Sequence, residues 1–174
     1  VYDRATHWLQ GYPVKTKDSA DTKLVLQKFV GTKITVKRIF SDNSGEIEKA
    51  CKELRWPQDT SRPHRSETNG VAERQVQKVR AGTAATLIQS GLCYAWWHLA
   101  MLCYCFLRNV TEIMDFGKTS YEKRYGSPFR GELIPFGAHV KYYPISEEQR
   151  KKQHTLGGQL RDALFVGYVQ RVGG

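Results

Sequence analysis

Ser41-Asp42-Asn43 ends an apolar run, and Asn69-Gly70-Val71-Ala72-Glu73-Arg74 opens a long helical pattern further on. Asp42 stands where the strand pattern Val36-Lys37-Arg38-Ile39-Phe40 runs out into polar residues, so its carboxylate is expected at a strand end. Glu73 follows the turn-rich stretch from Arg62 to Gly70 and falls in the first turn of the helix. A strand-end Asp and a first-turn Glu are carboxylates that one fold can bring together. A third precedes them: Val1-Tyr2-Asp3 is a short β-prone run that ends on Asp3 and continues as Arg4-Ala5-Thr6-His7-Trp8. Ions of the Mg²⁺ type take oxygen ligands from one or two carboxylates and leave the rest of their shell to water and phosphate.

Taken in order, Asp-x-x-Thr-x-Trp (Asp3 to Trp8), Ser41-Asp42-Asn43 and Asn69 to Arg74 resemble the integrase core of retroviruses and, more closely, of copia-type LTR retrotransposons. The resemblance runs over nearly the whole chain. It implies an α/β fold: an RNase H-like core, a mixed sheet flanked by helices, followed by a small β-rich SH3-like module. It also implies an enzyme of DNA integration, a metal-dependent polynucleotidyl transferase that joins retroelement DNA ends to target DNA. Asp3, Asp42 and Glu73 then correspond to the family's catalytic Asp-Asp-Glu triad. In this reading Asp3 and Asp42 share one Mg²⁺ or Mn²⁺, and Asp3 and Glu73 share the second. Such a reaction is an in-line displacement at phosphorus, with two ions about 3.5–4 Å apart stabilising the attacking and leaving oxygens. Water or the element's 3′-hydroxyl attacks, and no side chain serves as nucleophile. The implied partners are element and target DNA and further copies of the chain. The implied setting is the nucleus, with a cytoplasmic particle before entry.

The totals agree with a polyanionic partner. The chain has 174 residues and a formal net charge of +10, with 40% hydrophobic and 11% aromatic residues. That composition reads as globular, with length for one core domain and a small appended module. The cationic excess supplies the counterion-release term that dominates nucleic-acid affinity. No apolar run reaches the roughly 18 residues that a membrane-spanning helix needs. The chain has no signal-peptide pattern and no initiator Met, and reads as a piece of a longer polyprotein. Cys51, Cys93, Cys103 and Cys105 do not pair as Cys-x-x-Cys with histidines at finger spacing, which argues against structural zinc. Cys93, Cys103 and Cys105 lie in one apolar stretch and read as buried reduced thiols, and His98 reads as structural.

Along the chain, Trp8 to Val14 reads as a second strand hairpin-linked to the first, and Asp18 to Val30 as a helix capped by Asp18 or Ser19 and stopped by Gly31. Thr35 to Phe40 is the strand that delivers Asp42. Glu46 to Leu54 is amphipathic, and Pro57 to Ser61 is a short strand. The next helix runs from about Val71 to Ser90. Glu73, Gln77, Arg80 and Ala84 form one stripe on it, and Val76, Val79 and Leu87 face a core. Tyr94 to Val110 is apolar on most sides, with Trp96 and Trp97 assigned to core packing ahead of an interface. The core thus covers residues 1–115, a linker 116–133, and the β-rich basic module 134–174, whose Phe165-Val166-Gly167-Tyr168 resembles the barrel after copia-type cores. From Lys118 to the end, ten Lys or Arg face five Asp or Glu, a composition suited to holding a DNA backbone. The residues expected at nucleic acid are Arg65, Glu67 and Asn69 in the loop, Arg74, Lys78 and Arg80 on the helix, and Arg150, Lys151 and Lys152 in the tail.

The chain departs from the family pattern in several places. Thirty-eight residues separate Asp3 from Asp42 and thirty separate Asp42 from Glu73, both shorter than the family's spacing. Ser66 and Glu67 stand where Pro and Gln are usual. Two rival readings follow. One is a catalytically decayed nucleic-acid-binding remnant of a retroelement polyprotein, which the short gaps favour. The other is a ribonuclease H-type nuclease, which Asn69 to Arg74 and the basic tail oppose.

Overall fold

The structure is a computed structural model and describes residues 1–32, 34–60, 70–151 and 158–170, with residues 149 and 151 described by backbone alone. Helices α1 (Ser19–Val30) and α2 (Gly45–Leu54) flank β1 (Ile39–Ser41), and β2 (Gln58–Thr60) follows. Asp18 starts α1 by accepting the Asp21 N–H at 2.7 Å, and Gly31 at φ 71° stops it. β1 and β2 are parallel, with Ile39 opposite Gln58 and Ser41 opposite Thr60. Parallel neighbours need a crossover, and α2 is that crossover. Leu26 of α1 packs with Ala50 and Cys51 of α2, and Ile39, Ile47, Leu54 and Trp56 close this first core.

The second half is built on α3 (Gly70–Ser90) and α4 (Trp97–Thr111), the latter entered through a 3₁₀ turn at Tyr94–Trp96. The two helices run antiparallel. Gly82 of α3 lies against the ring of Tyr104, Leu87 packs near Ala100 and Cys103, and Lys78 meets Glu112 just past the end of α4. A short helix, α5 (Ser120–Tyr125), is closed by a capping box between Thr119 and Glu122. The tail carries β3 (His139–Tyr142), α6 (Glu147–Lys151) and β4 (Arg161–Leu164), with β3 and β4 antiparallel. Phe136, Phe165, Val166 and Tyr168 pack on α3 and α4 in the same cluster as Leu87, Ala100 and Cys103. The described part of the tail therefore shares its apolar core with the preceding helices. Among the described residues no helix is long and apolar enough to cross a membrane.

The helices fall close to where the sequence pattern puts them, and the strands are much shorter. Instead of one mixed sheet, the described residues form two two-stranded sheets and an isolated antiparallel bridge from Tyr2 to Leu9. Prolines account for part of this. β1 reaches only as far as the Ile39 N–H bond to the Pro57 carbonyl, because Pro57 has no N–H to return. The strand expected over Trp8 to Val14 reduces to Leu9, bridged to Tyr2, and Gln10, which exchanges backbone bonds with Val1 at 2.9 and 3.0 Å; Pro13 further on has no N–H to donate. Val76 is exposed instead of core-facing, because α4 ends at Thr111 alongside Lys78 and nothing from it reaches further up α3. Trp96 and Trp97 are 39% and 49% exposed, so the start of α4 is not buried on all sides.

Candidate active site

Asp3 lies in a tight turn between the bridged residues Tyr2 and Leu9. Its N–H donates to the Trp8 carbonyl at 2.9 Å. Its carboxylate accepts the Ala5 N–H at 3.0 Å on Oδ1 and the Thr6 hydroxyl at 2.5 Å on Oδ2. Each oxygen keeps a further acceptor site. His7 closes the turn at φ 61°, an uncommon left-handed conformation for a side-chain-bearing residue.

The turn is held from α4. Arg108, which is buried, donates from Nη1 to the His7 carbonyl at 2.6 Å and to Asn109 Oδ1 at 3.1 Å. Asn109 is fully buried and spans Leu9 on both sides, accepting its N–H at 3.0 Å and donating to its carbonyl at 2.8 Å. Glu112 answers the Arg108 charge at 2.6 Å through Oε2 and the Lys78 ammonium at 2.5 Å through Oε1. Burial pushes the Glu112 carboxyl up. The Lys78 hydrogen bond and the nearby Arg108 and Lys78 charges outweigh it and hold the group below the usual carboxylate range. Trp8 anchors the far side of the turn on α5, edge-on to Tyr125 at 5.6 Å and beneath the Arg124 guanidinium at 5.3 Å. Arg124 also donates to the Phe29 carbonyl, which ties α1 to this face.

Asp42 is exposed one residue past the end of β1, as its pattern predicts. Ser41 beside it is fixed by a bond from Gln58 at 2.8 Å, so β2 steadies the strand end. Glu73 is exposed in the first turn of α3, where a carboxylate suits the positive end of the helix. The donor set is therefore three carboxylates, hard oxygen ligands of the chemistry that Mg²⁺ or Mn²⁺ takes. It is not drawn together: among the described residues no three His, Cys, Asp or Glu side chains are gathered closely enough to hold a metal ion.

The cationic residues divide. Arg74 turns back to its own helix start, donating to the Gly70 carbonyl at 3.1 Å. Lys78 is engaged by Glu112 instead of lying open to a ligand, and Arg80 is exposed. Arg150 donates to the Pro144 carbonyl at 3.1 Å and lies over the Tyr143 ring. Arg65, Glu67, Asn69 and Lys152 lie outside the described residues, as does the Lys151 side chain. Sequence reasoning missed Arg108, Asn109 and Glu112. Their signal was a polar pair set into an otherwise apolar helix, which has to find buried partners.

The fold is similar to that of retroviral integrase catalytic cores. The HTLV-2 integrase catalytic core domain, solved in complex with magnesium in a trimeric form, matches with a TM-score of 0.53 and 18% identity, over 70% of this chain and 79% of that one. The catalytic core domain of BIV integrase matches with a TM-score of 0.46 and 23% identity, over 63% of this chain and 72% of that one. No protein-family model matches the chain, and no curated protein matches it.

Proposed function

We propose that this chain is the catalytic core of a retrotransposon integrase of the copia type, with a basic β-rich tail, and that it joins element DNA ends to target DNA in the nucleus. The observation that carries the reading is positional. In a fold similar to integrase cores, Asp3 follows the first bridged residue, Asp42 follows β1, and Glu73 opens α3. Asp3, Asp42 and Glu73 would hold Mg²⁺ or Mn²⁺, as the HTLV-2 core is described with magnesium. When bound, the ions would polarise the phosphoryl oxygens and lower the pKa of the attacking hydroxyl or water. The protein's own part is to orient the three carboxylates and to hold the DNA backbone. Arg80 on α3 serves that grip, together with Arg65, Asn69 and Arg74 at the entrance to α3 and Arg150, Lys151 and Lys152 in the tail. Residues 1–115 would form the core, 116–133 the connection and 134–174 the DNA-holding tail, and copies would associate on the DNA.

The reading predicts that Glu73→Gln abolishes strand transfer with Mn²⁺ and leaves DNA affinity within about twofold, because one neutralised carboxylate barely alters a surface carrying +10. Joining and binding are measured on one preparation. If binding collapses together with joining, Glu73 is a structural residue and the reading fails. A second reading, a non-catalytic nucleic-acid-binding remnant, is favoured by the three carboxylates not being gathered. Unaltered chain that binds DNA but joins no ends under either metal would select it.

A further inference from the structure

The tail from residue 134 onward holds five aromatic side chains, and they divide between the core and the surface. Phe136, Phe165 and Tyr168 pack into the α3–α4 cluster. Tyr142 and Tyr143 stay outside it, and Tyr143 is 49% exposed. An exposed tyrosine is ordinary by itself. Tyr143 differs in carrying a fixed cation. The Arg150 guanidinium lies over its ring, 5.6 Å from the centroid. Arg150 is held there by its Nε, which donates to the Pro144 carbonyl at 3.1 Å, and Pro144 is fully buried. The terminal amino groups of Arg150 have no partner among the described residues. Nucleic acids offer both complements of such a pair: every base has an aromatic face, and a guanidinium fits phosphate.

Charge does not single this place out. Across β3, α6 and β4 the described side chains of Lys141, Arg150 and Arg161 are matched by Glu147, Glu148 and Asp162, and the cationic surplus comes from Lys151 and Lys152 next in the chain. What the ring adds is a contact that depends on a base. Only unpaired nucleotides can use it, because a duplex covers its base faces with neighbouring pairs. We infer that Tyr143 and Arg150 form a stacking site for an unpaired nucleotide: the base lies on the open side of the Tyr143 ring, and Arg150 backs the ring and reaches the adjoining phosphate. The ligand class is single-stranded DNA or RNA, distinct from the duplex backbone that the tail is proposed to hold. The site takes any base, since stacking needs only a π face. The inference rests on the integrase reading for the choice of nucleic acid as partner.

The test uses the full chain, unaltered and with Tyr143→Leu or Tyr143→Phe. Each is titrated against four fluorescent probes: a short oligo(dA), its oligo(A) RNA counterpart, an abasic strand of the same length, and a duplex. Removing a stacking partner costs roughly 5- to 140-fold in affinity per base. Tyr143→Leu is expected to weaken single-strand binding at least about fivefold and to leave duplex binding within about twofold, because backbone contacts ignore the bases. Tyr143→Phe keeps the ring and should keep the affinity. The abasic strand should bind the unaltered chain about as weakly as oligo(dA) binds Tyr143→Leu, and should not weaken further in that variant. A loss on either the DNA or the RNA strand supports the site, and the strand that loses more names its ligand. Unchanged affinity of Tyr143→Leu for both strands, or an equal loss on the abasic strand or the duplex, overturns the site and leaves the integrase reading standing. A folded parent chain that binds neither duplex nor single strand overturns the integrase reading, and the site falls with it. If Tyr143→Leu does not fold, the parent chain decides: equal affinity for oligo(dA) and the abasic strand overturns the site.

Discussion

The four thiols show what burial does to a single residue. Cys93 is exposed, while Cys51, Cys103 and Cys105 are buried. Burial pushes the Cys103 thiol up to about 11 and raises Cys51 and Cys105 as well. The thiolate is the reactive form, so buried protonated thiols are inert. In native protein at pH 8, a disulfide reagent should therefore titrate one thiol quickly and the other three only after guanidinium is added. A second fast equivalent in the native protein would contradict the packing of α2 or α4. The sign for stability follows from the same shift. The folded chain keeps the Cys103 proton between about 9 and about 11, where the unfolded chain releases it, so this group withdraws stability as pH rises through that window. Sequence alone put Asp42 past a strand end and Glu73 in a first helical turn, where the structure has them, because a strand end and a helix start are local patterns. It put Cys93 with Cys103 and Cys105 in one buried stretch, whereas Cys93 is exposed in the turn before the 3₁₀ segment and only the two thiols on α4 are buried. Nor did it expose Arg108 and Asn109, whose partners His7 and Leu9 lie about a hundred positions away.

Among the elements, the helices were legible and the strands were not. Capping residues and 3.6-residue spacing act within a few positions, so α1, α2 and α3 begin and end within a residue or two of their patterns. Strand length depends on a partner elsewhere, and Pro57 removes the donor that a longer β1–β2 ladder would need. The α3–α4 crossing offers a sharp check on the packing. A Cβ at Gly82 would overlap the Tyr104 ring, so this glycine lets the two helices approach. Replacing a helix glycine by alanine ordinarily gains about 1 kcal/mol, whereas overfilling a packed contact costs roughly 1–3 kcal/mol. Gly82→Ala should thus destabilise the parent chain by about 1 kcal/mol in urea unfolding and stabilise a Tyr104→Ala background by about the same amount. The two substitutions share a contact, so their effects should be strongly non-additive. Equal effects of Gly82→Ala in both backgrounds would show that Tyr104 does not rest on this glycine.

For the whole molecule, composition foretold a cationic surface, and the structure changes how that surface has to be tested. The tail's Phe136, Phe165 and Tyr168 are packed into the α3–α4 cluster, so truncation would strip apolar cover from those helices and confuse folding with binding. Neutralising charges leaves that cover in place. Arg150 lies at the surface of α6, and Lys151 and Lys152 follow it directly in the chain. A net charge of +10 predicts DNA binding that is largely independent of sequence and falls steeply with salt. On duplex DNA the slope of log affinity against log salt is about −0.9 for each phosphate neutralised. Changing Arg150, Lys151 and Lys152 together to Gln should flatten that slope by up to roughly 2.7 if all three contact the backbone, by the same relation. Affinity should fall about equally on unrelated DNA sequences, because backbone contacts position the protein without reading bases. Unfolding in urea should stay within about 0.5 kcal/mol of the parent, as surface substitutions usually do. A slope that stays the same, with folding intact, would remove the tail from the DNA-holding surface and leave the charge on α3 and the loop before it to carry the binding.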